Sequence, residues 1–122
     1  MMAQRSHYAR EWALFLQEYP LVLCPFMPQP FFTPGRDTEG ADGVREVLGS
    51  ALWSYSMNYV GLPAGCLPTR LAQSEQGPRP INVQIIGQRW REDKIVEAMI
   101  AIEALWGTLA PELWAQMDGP DD

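Results

Sequence analysis

The side chains that could carry covalent chemistry are few in this chain. There is one histidine, His7, one lysine, Lys94, and two cysteines, Cys24 and Cys66. The serines are Ser6, Ser50, Ser54, Ser56 and Ser74. A serine hydroxyl is a weak nucleophile and needs a neighbouring base. Lysine can be that base only where burial depresses its pKa. Lys94 follows Glu92 and Asp93 directly, and such neighbours favour its charged, non-basic form. Ser54 and Ser56 are two apart on a predicted helix and so face different ways. No Gly-Ser-Ser run is present to supply converging backbone amides for an oxyanion. A His-dependent triad would have to use His7, close to the first residue. The residues therefore predict no catalytic group on this chain.

Metal and cofactor chemistry is equally poorly provided for. The sequence has no CxxC, no HExxH and no carboxylate-rich calcium loop, the spacings that zinc and calcium sites require. No metal and no cofactor are predicted. Two separated cysteines fit reduced thiols in a cytoplasmic protein.

The elements that would position these residues belong to one modest domain. The chain has 122 residues, 47% of them apolar and 20% charged, with a net charge of −6. The apolar share can build a core, and the acidic balance argues against a surface for nucleic-acid phosphates. With 10 glycines and 11 prolines, long ordered loops are expected rather than a helical bundle. The first ten residues lack a signal-type apolar stretch. No apolar run approaches the ~20 residues that span a bilayer.

A helix is predicted over 4–17, with Tyr8, Trp12, Phe15 and Leu16 forming its inner face at a 3.6-residue period. Leu21, Val22, Leu23 and Cys24, held between Pro20 and Pro25, read as a strand buried on both faces, as in parallel sheets. Residues 26–43 are a loop rich in proline and glycine. Its phenylalanines either cover the domain's own core or contact a substrate. A single helix is predicted over 44–59, capped by Asp42 and weakened at Gly49. Residues 64–67 are a short strand, and 69–80 a polar turn. Residues 81–86 are the clearest strand, carrying Asn82 and Gln84 on one face, either hydrogen-bonded to a neighbouring loop or touching a ligand. The last strong helix spans 92–106. Its inner face is Ile95, Met99, Ile102 and Trp106, widened by Val96, Ile100 and Leu105. A closing helix over 111–117 and a disordered tail over 118–122 complete the chain.

The order α-β-α-β-β-α gives an α/β fold: a small three-layer piece of a larger mixed sheet flanked by helices. Its short strands would leave unpaired edges.

One stretch is more specific. Asn58, Gly61, Pro63 and Ala64 lead into a strand closed by Pro68. Then Pro80, Gln84, Gly87 and Glu92 mark a strand ending in Gln-x-x-Gly, an aromatic-plus-acidic step and a terminal helix. This pattern resembles the carboxy-terminal part of the amidase signature family. The preceding helix and Leu21-Val22-Leu23-Cys24-Pro25 are similar to the family's corresponding helix and strand. The likeness covers roughly residues 12–105. The sequence departs from it at Thr69-Arg70, where a glycine is common. It departs again at Gly77-Pro78-Arg79-Pro80, where Gly-Leu-Pro is usual.

The resemblance implies acyl transfer at carbon–nitrogen amide bonds by a serine, activated through a second serine by a buried lysine. None of those residues falls on this chain. The expectation is a carboxy-terminal amidase segment over 1–122, inactive alone. Its partner would be the missing catalytic half or a second copy. A small amide would bind only to the complete enzyme. Phe26, Phe31, Trp53 and Tyr55 are the candidates for a substrate-facing wall. The alternative is a stand-alone, non-catalytic interaction module derived from that fold.

Overall fold

Why the chain folds as it does is clearest at its centre. The computed structural model describes residues 2–27, 33–74 and 77–117. Three strands, β1 (Leu21–Pro25), β2 (Ala64–Ser74) and β3 (Gly77–Gly87), form one antiparallel sheet in the order β1-β3-β2. The helices are α1 (Met2–Glu18), α2 (Gly40–Ser50), α3 (Leu52–Val60), α4 (Glu92–Trp106) and α5 (Ala110–Met117), with a 3-10 turn at Arg36–Thr38.

Strand alternation sorts the sheet into two faces. Cys24, Met57 and Ile86 make one buried cluster, with Trp12, Val22 and Leu62 packed against it. This is the side of α1 and α3. Ile95 of α4 lies over Gly65 and Gly87 on the other side, where Ile85 and Leu67 are buried. The result is helix, sheet and helix in three layers. Leu16, Ile85 and Ile86 are its largest fully buried side chains, each contributing roughly 2–3 kcal/mol of apolar transfer.

Two glycines set the spacing on the α4 side. A Cβ on Gly65 would stand 2.6 Å from Met99 Sδ and 2.8 Å from Ile95 Cγ2. One on Gly87 would stand 2.9 Å from Ile95 Cγ1. The last residue of the Gln-x-x-Gly pattern is thus the seat of α4.

Several expectations change. The sheet is antiparallel, and β1 is an edge strand: its apolar run does not mean burial on both faces, since Leu23 is 58% exposed. The polar segment 69–80 is not a turn but half of a long hairpin over 64–87, with Arg70 opposite Ile81 and Ser74 opposite Gly77. Proline survives there for a geometric reason. The Gly87 N–H points towards the β2 side, to Pro63 O, so alternate positions, Pro78 and Pro80 included, aim their nitrogens the other way. β1 pairs no further than Val83, so no ladder bond is lost on that flank. The register slips between Pro68 and Arg70, a bulge at Thr69, whose hydroxyl donates to Ile81 O at 3.2 Å.

The predicted helix over 44–59 is two helices broken at Ala51, whose N–H turns back to Leu48 O. The first begins at Gly40, so Asp42 sits inside its first turn, paired with Arg45 at 2.7 Å, rather than capping it. In α4, Ile95 is buried, but Val96, Ile100, Leu105 and Trp106 are exposed. In α1, only Leu16 of the predicted inner face is buried, while Tyr8 and Phe15 are exposed.

Candidate functional site

The segment from Asn58 to Ala64 ties three elements together. Gly61 ends α3 at φ 72°, a left-handed position that glycine takes without a Cβ penalty. Its N–H and that of Leu62 both return to Met57 O, at 2.9 and 3.1 Å, a Schellman-type close. Asn58 Nδ2 donates to Ser54 O at 2.9 Å. Two guanidiniums then take up the exposed carbonyls. Arg5 Nε of α1 donates to Tyr59 O at 2.6 Å. Arg89, just past β3, donates from Nε to Gly61 O at 3.0 Å and from Nη2 to Val60 O. Cations at a helix C-terminus meet its partial negative charge. Gln88 Nε2 adds a bond to Leu16 O at 2.9 Å. Arg5, Gln88 and Arg89 are positioning residues that periodicity alone could not reveal, because their partners are backbone carbonyls far away in sequence.

The next turn carries Trp90 at φ 65°, 88% exposed. Arg91 closes it with a two-bond pair to Asp93, each bond 2.9 Å. That guanidinium holds the Asp93 carboxyl below its usual range.

Between α1 and α3 lies a cleft of about 390 Å³, lined by Tyr8, Trp12, Tyr55, Ser56, Tyr59 and Val60. Trp12 also borders a second hollow of about 280 Å³ with Glu11 and Phe15. Edge-to-face packing of Trp12 on Phe15, with centroids 5.9 Å apart, orders its walls.

The four sequence candidates fare differently. Tyr55 lines this cleft, while Trp53, two residues earlier, projects elsewhere. Both are exposed. Phe26 is half-buried just beyond β1. Phe31 lies outside the described residues. Among the described residues no ring contact joins Trp53, Tyr55 and Phe26.

The groups that could do chemistry stay apart. Lys94 Nζ pairs with Glu97 at 2.7 Å in the first turn of α4. The sheet separates it from Ser54 and Ser56 on α3. Ser74 Oγ donates to Gly77 O at 2.6 Å at the hairpin turn, and Ser50 is buried. His7 is exposed, its ring 5.6 Å from that of Tyr8. Cys24 and Cys66 both pair with Gln84 from opposite sides, which sets them about 9.6 Å apart by strand spacing, beyond disulfide reach. Burial pushes the Cys24 thiol up, against a smaller opposing effect of Gln84 Nε2 donating to Sγ at 3.5 Å. Desolvation also raises Cys66. Both are held as thiols rather than nucleophilic thiolates. Gln84 is thus a buried amide bonded within the fold, though its partner is Cys24 on the adjacent strand β1 and not the expected neighbouring loop. Among the described residues, no group of three or more His, Cys, Asp or Glu could hold a metal ion, and no helix is long and apolar enough to cross a membrane.

The family model described as Amidase matches residues 1–96. The chain belongs to the amidase family. An indoleacetamide hydrolase of Bradyrhizobium japonicum is 39% identical over 117 residues, 95% of this chain and 24% of that protein. A glutamyl-tRNA(Gln) amidotransferase subunit of Parvibaculum lavamentivorans is 31% identical over 111 residues, 90% of this chain and 21% of that protein. The chain spans about a quarter of the length of these relatives. Among solved structures, a 6-aminohexanoate cyclic dimer hydrolase complexed with substrate superposes with a TM-score of 0.66 at 23% identity, over 88% of this chain and 24% of that one. In this amidase-family segment, the Asn58-x-x-Gly61-x-Pro63-Ala64 pattern is the C-terminal close of α3 and its link to the sheet. The Gln84-x-x-Gly87 pattern is a core amide on one face and the seat of α4 on the other.

Proposed function

We infer that this chain is the carboxy-terminal wall of an amidase that hydrolyses carbon–nitrogen amide bonds. The serine nucleophile and lysine base stand on the portion of the enzyme that it does not contain. Residues 1–122 then act as one structural segment that extends the enzyme's sheet and supports its substrate funnel. Of the four candidates, Phe26, Phe31 and Trp53 stay assigned to the substrate side, and Tyr55 is assigned instead to the α1–α3 cleft that it lines. The substrate is a small amide, bound only by the complete enzyme. The cytoplasm is the compartment that suits two reduced thiols.

One observation carries this reading. A chain matching an amidase over residues 1–96 keeps its single lysine paired to Glu97, across the sheet from the α3 serines. A hydroxyl without a base is not activated. The test is ammonia release from a panel of small primary amides. The chain alone should release none. Co-expressed with the portion of the Bradyrhizobium japonicum indoleacetamide hydrolase that it does not match, it should restore turnover. Turnover by the chain alone, lost on Ser54→Ala or Ser56→Ala, would overturn the assignment.

A further inference from the structure

We propose that the cleft between α1 and α3 seats one apolar-faced helix from the remainder of the amidase polypeptide. This rests on the reading above and adds the surface and the shape of what covers it.

The cleft is built by two facing seams. On α1, Tyr8 and Trp12 line it at a step of four, and Phe15 follows three residues on, bordering the neighbouring hollow. On α3, Tyr55 and Tyr59 line it, again four apart. A step alternating between three and four is the stripe with which one helix packs along another. Yet the stripes are not filled by this chain. Tyr8 is 45% exposed, Tyr55 49% and Tyr59 40%. A trough lined by aromatic side chains between two helices is the shape that receives an amphipathic third.

The α1 helix itself calls for a further partner. It is about 25 Å long at 1.5 Å per residue, but Leu16 is its one fully buried side chain among those described. The bonds from Arg5 to Tyr59 O and from Gln88 to Leu16 O fasten it to the fold. A helix of this length is marginal in water without a packed face.

The remainder of the polypeptide is the occupant for two reasons. The chain covers 24% of the indoleacetamide hydrolase and 24% of the solved hydrolase that shares its fold, so most of either relative lies outside this unit and is available to pack on it. A second copy fits less well. It presents the same concave trough, and two concave surfaces leave voids. Its net charge of −6 also opposes self-association.

The experiment co-expresses the tagged chain with the unmatched portion of the Bradyrhizobium japonicum indoleacetamide hydrolase and measures how much is captured. The double variant Tyr8→Arg, Tyr55→Arg should cut capture at least tenfold. Ile100→Arg, on the exposed outer side of α4, should leave it within twofold. Thermal melts of each chain alone check folding. If the double variant unfolds, Tyr59→Gln is read in its place, with the same expected loss. A photo-crosslinker at position 55 should recover a partner peptide with apolar residues three and four apart. Capture unchanged by the trough variants, or a crosslink to an extended segment, overturns the docking site and leaves the amidase reading standing. Failure of the unaltered chain to capture anything overturns both. Dimers of the chain abolished by the same variants would make the occupant a second copy and also overturn it.

Discussion

The two sides of the sheet are finished to different degrees. On the α4 side, the backbone and helix meet without slack: Gly65 and Gly87 leave room for Ile95 and Met99 and for nothing larger. On the α1–α3 side, a buried cluster around Met57 and Ile86 gives way to an open aromatic trough. The first side is what holds this segment together. The second has the composition of a core and the exposure of a surface, a combination that marks an interaction site.

That contrast can be broken by substitution, beginning where the largest loss is expected. Ile85→Ala, at a position of 0% exposure, should cost about 3–4 kcal/mol in urea melts, the range for emptying a core site. Gly87→Ala, overpacked against Ile95, should cost about 2 kcal/mol. In an Ile95→Ala background most of that cost should vanish, because the two changes share one contact. An additive cycle would mean that α4 is seated otherwise. Arg89→Ala, which leaves the α3 carbonyls unpaired, should cost about 1 kcal/mol. Lysine should restore only part of it, since it lacks the guanidinium fork. On the open side, Tyr8→Ala and Tyr55→Ala should each change the stability of the chain alone by less than about 0.5 kcal/mol, as surface substitutions do. A large loss there would show that the trough already belongs to the core.

A pH scan sharpens the same contrast. Burial raises the Cys24 pKa in the folded state, so the native protein holds that proton more tightly than the unfolded chain does. Stability from this source is fully present below the ordinary thiol value of about 8.5, and it declines as pH rises through that value towards the folded one. Cys24→Ala should flatten the alkaline limb of a chemical-denaturation series. An unchanged limb would assign it to other groups.

What the sequence disclosed follows from how local each signal is. The strand over 81–86 and the helix over 92–106 were legible because alternation and capping are properties of neighbours. The Asn58-to-Ala64 and Gln84-to-Gly87 patterns were legible as a family resemblance. Their physical meaning needed the structure, since the Arg89 bonds to Val60 and Gly61 join residues far apart in sequence. The hairpin over 64–87 was hidden because prolines read as turn residues, and they are tolerated because β1 pairs with β3 no further than Val83. Periodicity identifies an apolar face but not what covers it, so α1 is less buried than its stripe predicts. Of the four candidate wall residues, helical geometry alone separates Trp53 from Tyr55. It could not show that Tyr55 would share a cleft with Tyr8 and Tyr59.

The amidase-wall reading requires that this chain hold no activated hydroxyl. A serine-directed fluorophosphonate probe, followed by intact-mass measurement, tests that directly on the chain alone and on the co-expressed complex. The expected result is an unmodified mass for this chain in both samples, with the adduct on the other polypeptide in the complex. A stoichiometric adduct on Ser54 or Ser56 of this chain would contradict it.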